Sequence, residues 1–102
     1  MQVMSFDPRY LDWVLDRTKT KTTRYGDPVE LGPARFRFES SPPVWVDAVI
    51  TDIRDVALGE LSDEDAAAET FTDSGALRDA LRYHYPGLPE AAAVAVVTFE
   101  LI

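Results

Sequence analysis

The stretch Arg17-Thr18-Lys19-Thr20-Lys21-Thr22-Thr23-Arg24 decides how the rest of this sequence is read. Four cations interleave with four threonines over eight positions, and they include both lysines and four of the ten basic residues of the chain. Thr20, Thr22 and Thr23 are β-branched and favour extended backbone. The run therefore reads as a turn leading into a strand, which Gly26-Asp27-Pro28 ends. Ammonium, guanidinium and hydroxyl groups gathered in one place can polarise a carbonyl, activate a hydroxyl or hold an anion.

Outward from this run the elements follow from periodicity and capping. Val3, Met4 and Phe6 make a short first strand. Asp7-Pro8 reads as an N-cap followed by proline at the first helical position, and Leu11, Val14 and Leu15 predict an amphipathic helix over 8–17. Beyond the run, Arg35-Phe36-Arg37-Phe38-Glu39 alternates as a half-buried strand does. A second strand covers 44–53, with Val44, Val46, Ala48 and Ile50 on one face. Ser62 caps a short acidic helix that runs to Glu69, with Asp63, Glu64 and Asp65 where the helix dipole favours them. A further helix over 74–84 buries Leu77 and Leu81 and stops at Tyr85-Pro86-Gly87. Val94 to Leu101 closes the chain as a strand. This order predicts an α+β fold on a small curled sheet or barrel flanked by about three helices.

At 102 residues the expectation is one domain, spanning 1–102. The chain is 46% hydrophobic, which fits a globular core and not a disordered segment. It has no cysteine and one histidine, His84, so thiolate and histidine-rich metal sites are excluded. Nothing in these residues calls for a metal or organic cofactor. No apolar run approaches the roughly 20 residues of a membrane span, and the expected location is the cytoplasm. The net charge of −8 is uneven: residues 1–54 carry eight basic and eight acidic side chains, whereas 55–102 carry two against ten. Such a chain is poorly suited to tracking a long phosphate backbone, which leaves a small ligand or a short nucleic-acid stretch at the local basic patch.

Four motifs in this order, Lys19-Thr20-Lys21-Thr22-Thr23-Arg24, Ala68-Glu69-Thr70-Phe71, Tyr85-Pro86 and Val97-Thr98-Phe99-Glu100, resemble the ASCH family of the PUA-like superfamily. The resemblance covers nearly the whole chain and implies a PUA-like curled β-barrel. Small members of that family resemble amidohydrolases that deacylate N4-acetylcytidine and related nucleosides. By position, the resemblance implies that Lys19 is the proton acceptor, Thr22 the nucleophile and Glu69 the proton donor. Arg24 then binds or orients the ligand, and Lys21 is a second cation for the substrate or a second candidate base. Arg17-Thr18 stands where the motif usually has Gly-x.

The residue types suit the chemistry. An amide needs a nucleophile, a base to take its proton and an acid for the leaving nitrogen. A lysine is a base only if burial or neighbouring cations bring its pKa well below about 10.4. Lys19 and Glu69 then form a coupled pair, with the holder of the shared proton left open. Strand parity separates Lys19 from Thr22 unless Lys19 lies in the turn. The alternative is an RNA-binding or RNA-cleaving module, with Lys19, Lys21, Arg24, Arg35 and Arg37 as the patch. His84 reads as a helix-end cap, and Trp13, Trp45, Tyr25 and Phe71 read chiefly as core.

Overall fold

Alternating apolar residues set the strands of a single five-stranded sheet, in a computed structural model that describes all 102 residues. The strands are β1 (Gln2–Phe6), β2 (Lys21–Arg24), β3 (Gly32–Phe38), β4 (Val44–Ala57) and β5 (Ala93–Leu101), in the order β1-β3-β4-β5-β2. β1 runs parallel to β3 and every other pairing is antiparallel. β4 is the longest strand. Its first half pairs with β3 and its second half with β5, with a bulge between Ile50 and Asp52. A bulge bends its strand and adds twist, and here the sheet curls into a half-barrel with β1 and β2 as its two edges. This is the expected small curled sheet, left open between those edges.

Three α-helices complete the fold: α1 (Leu11–Leu15), α2 (Asp63–Ala68) and α3 (Ser74–His84). The expected helix over 8–17 is shorter. A 3₁₀ turn over Pro8–Tyr10, capped by Asp7, precedes α1, and the helix stops at Asp16 because Arg17 takes a left-handed φ of 68°. Ser62 caps α2 as expected, within a capping box in which Ser62 and Asp65 each bond the other's backbone N–H. Asp73 caps α3 through the Ala76 amide.

The sheet is covered on both faces, which is why consecutive residues Val96 and Val97 of β5 are both buried. Val97 and Phe99 join Met4, Phe6, Phe36, Phe38 and Ile50 in the core enclosed by the curl. Val94 and Val96 point the other way, to Leu58, Ala66, Leu77 and Leu81 beneath α2 and α3. Trp13, Trp45 and Tyr25 are more than a third exposed and do not belong to the core as expected. Trp45 carries Arg35 and Arg37 on its ring face instead, at 5.2 and 5.8 Å. Phe71 does pack against the second core. No helix is long and apolar enough to cross a membrane.

Candidate active site

The gap between the two sheet edges holds a cavity of about 210 Å³. Ser5 and Phe6 of β1 line one side, Thr22, Thr23 and Arg24 of β2 the other, and Leu77, Leu81 and His84 of α3 cover it. Lys19 and Glu69 complete the polar wall, beside Tyr10, Phe71 and Tyr85. The sequence-predicted residues Lys19, Thr22, Arg24 and Glu69 thus meet in one place.

Each is carried there by local structure. Lys19 lies before β2, its amide bonded to the Trp13 carbonyl. That placement in the turn is what removes the parity conflict with Thr22. The Thr20 amide donates to the Ala68 carbonyl at 2.8 Å, so the end of α2 is tied to the approach to β2. Glu69, the residue that follows α2, is thereby aimed at Lys19, and the Lys19 Nζ to Glu69 Oε1 distance is 3.2 Å. The ammonium also sits over the Tyr10 ring, 5.0 Å from its centre. Burial pushes the Lys19 amine below its ordinary value, with Glu69 opposing and Arg24 adding to the fall.

β2 is an edge strand, and its register sets what each residue faces. Thr22 pairs with Val97 and so shares the enclosed face, whereas Thr23 pairs with Val96 and shares the α2–α3 face. Both line the cavity because it follows the free edge of the strand. Thr22 Oγ1 accepts a hydrogen bond from Arg24 Nε at 3.3 Å. The Arg24 guanidinium lies 4.6 Å over the Phe6 ring and 3.8 Å from Asp27, with its side chain 13% exposed. Burial lowers the Arg24 value as well. The Tyr85 hydroxyl donates to Asp27 at 3.1 Å, so the Tyr85-Pro86 motif closes the Arg24 end of the cavity.

Two further residues were not read as site residues from the sequence. Thr23 gives Glu69 its amide N–H, at 3.1 Å to Oε1, and its hydroxyl, at 2.6 Å to Oε2. His84 is at the end of α3 as expected, but it lines the cavity and lies 3.4 Å from the Tyr10 hydroxyl. Burial and then Arg9 lower the His84 value. Lys21 does not reach the cavity. It lies 3.6 Å from Asp65, which also holds Arg54 at 2.7 Å. The proposed basic patch is dispersed too: Lys19 and Arg24 face the cavity, while Arg35 and Arg37 lie on the outer face of β3, paired with Asp47 and Glu39.

No protein-family model and no curated protein matches the sequence. Solved structures do match the fold. An ASCH domain from Lactobacillus crispatus JV V101 superposes with a TM-score of 0.74 at 14% identity, over 98% of this chain and 79% of that one. A protein of the DUF984 family from Enterococcus faecalis V583 gives 0.74 at 17% identity, over 100% and 76%. The hypothetical protein PH0355 gives 0.76 at 16% identity, over 99% and 98%. At these identities the likeness establishes the fold, which is that of the ASCH domain.

Proposed function

We propose that this protein hydrolyses the amide bond of N4-acylated cytosine nucleosides, N4-acetylcytidine being the simplest. The observation that carries this reading is the meeting of Lys19, Thr22, Arg24 and Glu69 on one aromatic-walled cavity. Its volume of about 210 Å³ lies below the roughly 300–1,000 Å³ of drug-sized sites, so it suits a single base with a small acyl group.

In this reading Thr22 attacks the acyl carbon and a C–O bond forms. Arg24 Nε already donates to Thr22 Oγ1, so the hydroxyl's own proton is free to leave. Lys19 takes that proton as the neutral amine, the form that burial favours. Across 3.2 Å the proton passes to Glu69, and from there to the departing nitrogen as the C–N bond breaks. The pyrimidine ring delocalises charge from that nitrogen, which makes this amide easier to cleave than a peptide. Water then attacks the acyl-threonine ester, one of its protons returns to Thr22, and the carboxylic acid leaves.

Incubating the purified protein with N4-acetylcytidine and following cytidine release tests the reading. Thr22→Val and Lys19→Met should each reduce turnover by about 100-fold or more. Absence of turnover by the unaltered protein, or full turnover by both variants, would refute it. The dispersal of the five basic residues favours a small ligand over an RNA backbone.

A further inference from the structure

Thr23 has no part in the roles implied for the motif, yet it supplies two of the three donors that reach Glu69. Its amide is free to do so because β2 is an edge strand, and an edge leaves half its N–H groups without a ladder partner. Oε1 of Glu69 receives that amide and the Lys19 ammonium, at 3.1 and 3.2 Å. Oε2 receives only the Thr23 hydroxyl, at 2.6 Å. The Ala68–Thr20 hydrogen bond fixes the backbone before Glu69, but it leaves the glutamate side chain free to turn.

We infer that Thr23 is a positioning residue, whose hydroxyl holds Glu69 Oε2 and thereby keeps Oε1 on the Lys19 ammonium. The choice of residue matters. A hydroxyl both donates and accepts. It donates to Oε2 of the carboxylate, and when Oε2 carries a proton it rotates to accept from it. One contact thus survives both states of a glutamate that must receive and return a proton. A valine of the same shape provides neither, and it leaves a buried oxygen with no partner. This extends the amide-hydrolysis reading, but its principal test does not depend on it.

The chain has only two lysines, so spectra of lysine-labelled protein contain two side-chain amine signals, and Lys21 serves as the internal control. Thr23→Val should lower the titration midpoint of Lys19 by about one pH unit, because the carboxylate, now held by the Thr23 amide alone, is fixed less firmly on the ammonium. Thr23→Ser should restore the midpoint. Should Thr23→Val not fold, Thr23→Cys, whose thiol is a weak donor, should lower the midpoint in the same direction. An unchanged Lys19 midpoint in the folded variant overturns the inference, whether or not the protein turns over N4-acetylcytidine. With turnover in hand, Thr23→Val should lower kcat about tenfold at nearly constant KM, with recovery in Thr23→Ser. If Thr22→Val still forms an acyl adduct on Thr23, then Thr23 is the nucleophile and the positioning role is refuted. If the unaltered protein shows no turnover, the hydrolysis reading fails and the lysine titration still decides the role of Thr23.

Discussion

The Lys19 ammonium and the Glu69 carboxylate, fifty positions apart in the chain, meet at 3.2 Å with side chains only 3% and 4% exposed. Removing two charges from water is costly, and contact repays that cost only where further hydrogen bonds complete the pair. Here the Thr23 amide and hydroxyl complete it. A pair of this kind resists the loss of either member more than its own net contribution would suggest. Lys19→Met and Glu69→Gln should each destabilise the fold by about 3 kcal/mol, since each leaves a buried group without its partner. The double variant should cost less than the two single changes together. Urea unfolding of the four proteins measures this, and strict additivity would show that the pair is not coupled.

The depressed Lys19 amine has a pH signature of its own. Its folded value lies below the ordinary 10.5. Between the two values the unfolded chain binds more protons than the folded one, so stability rises with pH across that window. Below the folded value the full penalty of burying the ammonium is present, and approaching 10.5 it is relieved. Relative to Lys19→Met, the unaltered protein should therefore gain stability as pH rises from neutrality towards 10.5. Denaturant midpoints at several alkaline pH values measure the trend, and a flat or falling difference would contradict it.

His84 gives the corresponding effect on the acid side. Burial and the nearby Arg9, Arg24 and Lys19 lower it below 6.5, with Asp7 opposing. In the window below 6.5 the unfolded chain again binds more protons, so stability falls as pH drops through it. His84→Gln should lose less stability than the unaltered protein between pH 6.5 and the folded value of the histidine. Thermal melts across that range check the sign.

Much of this site was legible because side-chain chemistry and motif order point to the same residues. Lys19, Thr22, Arg24 and Glu69 were all named from sequence. Thr23 was not: in a strand it faces away from Thr22, and alternation says nothing about whether a strand is at an edge. The cavity follows the free edge of β2, so residues of both parities line it. The length of β4 was hidden for a related reason: the bulge after Ile50 breaks the alternation that would have carried the strand to Ala57. Trp45 was misplaced because burial was read from its apolar ring alone. At 45% exposure, that ring is partly covered by the guanidinium groups of Arg35 and Arg37, which remain in water.

Arg17 occupies the place where the motif usually has glycine, with φ at 68°. An L-residue other than asparagine or aspartate is strained there, and glycine is not. The Thr18 amide, bonded to Asp16 at 2.8 Å, and the Lys19 amide, bonded to Trp13, hold the turn in this shape. Arg17→Gly should raise stability by about 0.5–1 kcal/mol, the relieved strain exceeding the added freedom of the unfolded chain. The arginine does not line the cavity on which Thr22 and Glu69 meet, so turnover should be unchanged. Equal or lower stability in Arg17→Gly would show that the turn is not strained.

Asp65 and Lys21 separate holding the site from touching the ligand. Asp65 accepts from the Ser62 amide within the capping box, from Arg54 of β4 at 2.7 Å, and lies 3.6 Å from Lys21 of β2. Burial by itself raises its carboxyl, but the Ser62 and Arg54 contacts outweigh it and hold the group below its ordinary value. It therefore anchors the start of α2 to two strands, and α2 carries Glu69 at its far end. Asp65→Ala removes a cap and leaves two cations without their shared anion, and should cost about 2 kcal/mol or more. The Lys21 side chain is 25% exposed and has Asp65 as its charged partner, which Arg54 continues to hold when Lys21 is lost. Lys21→Met should accordingly change stability by less than about 1 kcal/mol and leave KM for N4-acetylcytidine unaltered. A clear rise in KM for Lys21→Met would return this lysine to the substrate, and would mean that ligand binding draws it away from Asp65 to the cavity.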